Sequence, residues 1–148
     1  MYWYLDTRFL NHARLGIFDS RGKKYALHDI RSKKRLTSGA LIRSLYTLSG
    51  ALRMSKRPVN GIIVERGPGG FSAIRLGVVT ANALSYAIGI PCLGISSSGP
   101  DISIGAVKEA IHILSTSYAS VVTPFYGSEP SITLRRNTAY KIKSTAAQ

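Results

Sequence analysis

Between residues 61 and 95 two short apolar runs flank a glycine-rich turn and a long helical stretch, and this arrangement limits the fold more than any other feature. Gly61-Ile-Ile-Val64 is continuously apolar, as strands buried on both faces of a sheet are. Glu65-Arg-Gly-Pro-Gly-Gly-Phe-Ser72 follows, with glycines that permit a tight strand-to-helix turn. A helix is predicted from about Ser72 to Ile88, and Pro91-Cys-Leu-Gly-Ile95 is a second short buried strand. Strand, helix, strand over so short a span requires a parallel crossover, and hence an α/β fold.

The upstream sequence supplies the rest of the sheet. Residues 2–6 predict a strand ending at Asp6. Residues 12–19 alternate, with Ala13, Leu15, Ile17 and Asp19 on one face. Ser20-Arg-Gly-Lys23 is a turn, and residues 24–30 are the returning strand of a hairpin. The period then changes: Leu41, Leu45, Leu48 and Leu52 form one stripe of a helix that Thr37 or Ser38 can cap. Three meandering strands followed by helix, strand, helix, strand predict a mixed five-stranded sheet with helices, as in ribonuclease-H-like domains. Residues 104–115 predict a third helix and 120–123 a last strand; the tail past Arg136 is expected to fray.

A chain of 148 residues, 45% hydrophobic and 18% charged, suits one globular domain. Twenty Lys and Arg against seven Asp and Glu give a formal charge of +13, which attracts polyanions, nucleic acid first and membrane surfaces second. Basic clusters lie at Arg31-Ser-Lys-Lys-Arg35, at Arg53, Lys56 and Arg57, and at Arg135, Arg136, Lys141 and Lys143. Cys92, the single cysteine, excludes an internal disulfide and reads as a small buried hydrophobe. No signal peptide is recognisable and no apolar stretch reaches the roughly 18 residues of a membrane helix, so a soluble cytoplasmic protein is expected. His12, His28 and His112 are far apart in sequence, and no cofactor or metal site is expected. Asp6 is read as a polar group satisfied at a strand end.

The central turn is the candidate functional motif: Arg66, Gly67, Pro68, Gly69, Gly70, Phe71, Ser72 and Arg75. Ser72 would cap the helix, whose first amides would face an anion flanked by Arg66 and Arg75. The motif lacks the Gly-Lys-Ser/Thr ending of a Walker loop. Along the helix, Ala73, Gly77, Ala81 and Ser85 make a small-residue stripe, suited either to packing within the chain or to a partner's helix. Leu76, Val79, Ala83 and Tyr86 make a second apolar face, so the helix is expected to be covered on two sides.

Arg66-Gly-Pro-Gly-Gly-Phe-Ser-Ala-Ile-Arg-Leu-Gly77 resembles the RGPGSFTGVRIG signature of the TsaB family. Ile90-Pro-Cys-Leu-Gly-Ile-Ser96 resembles its IPxxGVS strand, Leu5-Asp6-Thr7 its opening strand, and the segment from Pro124 to Leu134 its PxYxREPxI ending. Ser72 and Ala73 stand where the signature has Thr and Gly. The resemblance implies the actin/Hsp70/sugar-kinase superfamily, whose lobes are ribonuclease-H-like. It also implies a non-catalytic partner of a TsaD-type enzyme, which transfers threonylcarbamoyl to tRNA adenosine, with TsaE-type ATPase recruitment and self-pairing of the isolated chain. TsaD-type enzymes bind metal through an HxxxH pair, which this sequence lacks. On this reading residues 1–96 are the N-terminal lobe, and 97–148 are the remnant of a reduced second lobe with an extended C-terminal segment.

The partner interface is expected at Leu41, Leu45, Leu48, Leu52, Ala73, Leu76, Gly77, Thr80, Ala81 and Leu84, with Asp6 and Thr7 as a nucleotide-site remnant. Two alternatives stand beside it. One is a small ATP-dependent phosphotransferase of the same superfamily, binding nucleotide near Asp6 and Gly67–Ser72. The other is a free-standing basic RNA-binding domain, with tRNA affinity of its own. In an assembled complex the basic clusters would be placed to touch tRNA phosphates.

Overall fold

A computed structural model describes residues 1–51, 57–116 and 121–127. Three strands open the chain, β1 (Tyr2–Asp6), β2 (His12–Phe18) and β3 (Lys24–Arg31), followed by α1 (Ser38–Ala51), β4 (Gly61–Glu65), α2 (Phe71–Ile88), β5 (Cys92–Ile95) and α3 (Ile104–Thr116). The strands form one mixed sheet of order β3-β2-β1-β4-β5. β1 pairs antiparallel with β2 and parallel with β4, and β4 pairs parallel with β5. This is the expected mixed five-stranded α/β sheet.

The sheet is the middle of three layers. On one face Trp3, Leu5, Leu15 and Ile17 pack with Ile62 and Val64 against Leu41 and Leu45 of α1 and Ile74, Val78, Ala81 and Leu84 of α2. On the other, Tyr2, Tyr4, Phe18 and Ile63 meet Val107, Ala110, Ile111 and Leu114 of α3. Residues of β1 and β4 therefore contribute alternately to both cores, and every residue of the two strands is buried. That explains their continuous apolar character. α3, which lies in the stretch expected to be a second-lobe remnant, thus covers this same sheet.

Local chemistry sets the element ends. Thr37 Oγ1 accepts the Ala40 N–H at 3.3 Å and caps α1. Gly89, in the left-handed region at φ 71°, closes α2 with its N–H on the Ser85 carbonyl. β2 stops at Phe18, one residue short of the expected end. Asp19 instead ties the turn, its Oδ1 accepting the Arg21 and Lys23 N–H groups at 2.8 Å each.

Three expectations need correction. α2 starts at Phe71 behind an N-cap at Gly70 with no side-chain hydrogen bond, so Ser72 lies in the first turn and does not cap. Residues 121–126 form no strand, and Ser120 is outside the described residues. The side-chain amide of Asn82 takes the place of a strand neighbour: Nδ2 donates to the Val122 carbonyl at 2.9 Å, and Oδ1 accepts the Val122 N–H at 3.0 Å. Finally, α2 is 18 residues long with mean hydropathy 1.3, long and apolar enough on those measures to cross a membrane. Its stripe of Ile74, Val78, Ala81 and Leu84 is instead part of the core.

Candidate functional site

The parallel strands β1, β4 and β5 all end at one edge of the sheet, where β2 begins and β3 ends, and the buried polar residues Asp6, Thr7, Arg8, Glu65 and Ser97 gather there. Asp6, the last residue of β1, is 3% exposed. Arg8 folds back onto it: Nε donates to Oδ1 at 3.0 Å and Nη2 to Oδ2 at 2.9 Å, and the Arg8 backbone N–H also reaches Oδ1. Nη1 of Arg8 donates to the Ser97 carbonyl. Glu65, the last residue of β4, is completely buried. Its carboxylate accepts from Tyr4 Oη at 3.1 Å, Ser97 Oγ at 2.6 Å and Ser97 N at 3.1 Å, and lies 4.0 Å from Arg8 Nε.

Two buried carboxylates thus share one guanidinium. Burial pushes the Glu65 carboxyl above its ordinary range, against the pull of Ser97 and Arg8. Burial, reinforced by the nearby carboxylates, also raises the Tyr4 hydroxyl, which stays a donor. Arg8 was not singled out from sequence. The signal available was a basic residue two positions beyond a strand-end aspartate, a spacing that fits a side chain returning to its neighbour.

The motif loop closes over this cluster. The Gly70 N–H donates to the Arg8 carbonyl, and Phe125 N–H to the Arg66 carbonyl. Gly67 has φ +129°, and a Cβ there would collide with the Phe125 carbonyl, so only glycine fits. The two flanking arginines do not converge on the α2 N-terminus. Arg66 Nε donates to Ser96 Oγ at 3.2 Å, whereas Arg75 lies over the Phe71 ring at 5.2 Å. Thr7 donates to the Ala73 carbonyl at 2.7 Å. Asp6 and Thr7, expected as a nucleotide-site remnant, therefore both spend their polar atoms inside the chain. Among the described residues no three His, Cys, Asp or Glu side chains cluster as metal ligands.

The expected interface divides differently from its sequence pattern. Leu41, Leu45, Ala73, Gly77, Thr80, Ala81 and Leu84 are buried in the chain's own core, and Leu48 and Leu76 are half-buried. Leu52 lies outside the described residues, as do Arg53, Lys56, Arg135, Arg136, Lys141, Lys143 and the segment from Ser128 to Leu134. The small stripe serves internal packing: a Cβ on Gly77 would collide with Thr7 Oγ1, and Thr80 Oγ1 joins α2 to Ser38 Oγ of α1 at 2.7 Å. The uncovered face is the other one. Val79 is 59% and Tyr86 92% exposed. Ala83 and Ala87 are exposed with them, and Arg75 is the only charge on the helix.

A family profile described as "TsaD: tRNA N6-adenosine threonylcarbamoyltransferase" matches residues 35–110. The chain is similar to tRNA N6-adenosine threonylcarbamoyltransferase of Geotalea daltonii, 35% identical over 71 residues, which is 46% of this chain and 19% of the relative. The corresponding protein of Geotalea uraniireducens is 36% identical over 69 residues, again 46% of this chain and 19% of the relative. The match therefore spans about a fifth of the length of these curated relatives. Among solved structures the chain is similar to YeaZ from Pseudomonas aeruginosa, with a TM-score of 0.54 and 22% identity over 64% of this chain and 43% of that one. That similarity is one of fold.

Proposed function

The chain belongs to the TsaD family, with the fold of YeaZ (TsaB), and we propose that it acts in tRNA threonylcarbamoyl modification as a non-catalytic partner of a TsaD-type enzyme. The observation that carries this reading is the uncovered face of α2. A row of Val79, Ala83 and Tyr86 with one flanking charge has the composition of a surface that excludes water against another protein. The sheet-end cluster supports the non-catalytic role. A carboxylate whose two oxygens are both held by Arg8 is poorly placed to ligate a metal–nucleotide complex, which disfavours the phosphotransferase alternative.

Self-pairing through the same face, recruitment of a TsaE-type ATPase and a cytoplasmic location belong to this proposal as well, with any second-lobe remnant beginning beyond α3, which packs on the sheet of the first. Capture of a TsaD-type protein by the tagged chain tests it. Wild type retains the enzyme, and Tyr86→Asp with Val79→Asp loses it while keeping the native circular dichroism. Equal retention by the folded double variant would show that α2 is not the contact.

A further inference from the structure

We infer that the loops at the carboxyl end of the parallel strands form an RNA-binding surface of this chain itself, gripping phosphates with the 31–35 loop and an unpaired base in the adjoining groove. The inference deepens the reading of a tRNA-modifying assembly, and rests on it for the choice of RNA among polyanions.

Three loops meet there. Ser32 N–H donates to the Asn11 carbonyl at 3.0 Å, and Gly70 N–H donates to the Arg8 carbonyl at 2.9 Å, so the 7–12 loop bridges the 31–35 loop to the glycine motif. Ser32 Oγ accepts the Lys34 N–H at 3.1 Å, fixing the turn that displays the cations. Arg31, Lys33, Lys34 and Arg35 are all exposed, and none pairs with an acid among the described residues. The four acids at this end leave the cations in excess, because Arg8 and Arg14 take up part of their charge. Asp6 and Glu65 are buried on Arg8, and Asp29 and Asp101 both face Arg14.

The groove between the loops holds about 170 Å³ and is lined by Phe9, Leu10, Asn11, His12, Arg35 and Ser72, among others. Phe9 is 44% exposed, with the Arg8 guanidinium over its ring at 5.7 Å and His12 6.1 Å away, and its exposed part gives a base an aromatic surface to stack against. Asn11 Oδ1 is buried with no protein hydrogen-bond partner among the described residues. An amide has acceptor and donor capacity for a base edge or a ribose 2′-hydroxyl, which Asn11 can offer once its side chain turns toward the groove it lines. A flat anionic membrane cannot enter the groove beside Phe9, and acidic side chains offer no planar ring to stack there.

Binding of a labelled tRNA anticodon stem-loop to the purified chain, titrated between about 50 and 200 mM salt, tests the surface. Lys33→Ala/Lys34→Ala/Arg35→Ala is expected to weaken binding at least tenfold and to lower the salt slope by about two, at roughly 0.7 for each single-strand phosphate that is no longer neutralised. Arg21→Ala/Lys23→Ala/Lys24→Ala, which removes equal charge at the opposite end of the sheet, should stay within about twofold, and Phe9→Ala should weaken binding without changing the slope. The inference is overturned if both triple variants lose affinity equally, if neither does, or if anionic vesicles or polyglutamate compete as well as RNA at matched charge. Lost RNA binding with intact capture of the TsaD-type protein removes only this surface; intact RNA binding without capture removes the partner reading instead.

Discussion

At the scale of residues, the chain keeps two carboxylates buried with one arginine, and this cluster sets its most sensitive positions. Replacing Arg8 by Ala would leave Asp6 and Glu65 uncompensated, at a cost of about 3–5 kcal/mol. Urea unfolding at neutral pH measures that loss, and it should shrink as the pH falls and Glu65 takes up its proton. Glu65 also has its own pH signature. Its folded value is raised, chiefly by burial, so the stability linked to its protonated form is present at low pH and is lost as pH rises through that raised value. Relative to wild type, Glu65→Gln should therefore gain stability with rising pH above the ordinary glutamate range. A difference between the two proteins that stays flat with pH would contradict the assignment. Burial pushes the Cys92 thiol up to about 12, so a thiol reagent at pH 8 should modify it only in denaturant.

At the scale of elements, α2 has two faces with different roles, and they respond differently to mutation. On the inner face, Gly77→Ala drives a methyl group into Thr7 and should cost about 1–3 kcal/mol by overpacking. On the outer face, Tyr86→Asp should change stability by no more than about 0.5 kcal/mol. Thermal unfolding of both variants checks the pair; a larger loss for Tyr86→Asp would reverse the assignment of the faces. The sequence made α2 legible as an element because its apolar period is sustained, and the buried strands legible because Gly61–Val64 and Pro91–Ile95 are unbroken apolar runs. It did not decide which stripe faces outward. Both stripes are free of charge, and what places the small one inside, although it is the less hydrophobic, is the close approach of Thr7 from the end of β1, a contact between residues far apart in sequence. Arg8 was missed for a related reason: its partner Ser97 and its neighbour Glu65 reach it only through the parallel crossover.

At the scale of the whole molecule, a basic chain folds as a three-layer lobe with Asp6, Glu65, Asp29 and Asp101 held on two arginines at one sheet end, and with one helix face left apolar. These two features divide the work proposed for it: α2 meets the enzyme, and the loop end meets the RNA. The order of strands and helices is readable from the sequence because each change of period marks a change of layer. The gathering of Arg35, Phe9 and Asn11 at one groove is not, because it depends on which strand ends lie together in the sheet. The most direct test is threonylcarbamoyl transfer to tRNA by the purified TsaD-type enzyme from the same cell, with and without this chain. The account predicts that transfer needs both proteins and is lost when Tyr86→Asp/Val79→Asp replaces the wild-type chain. Full transfer by the enzyme alone, unchanged on adding this chain, would contradict it.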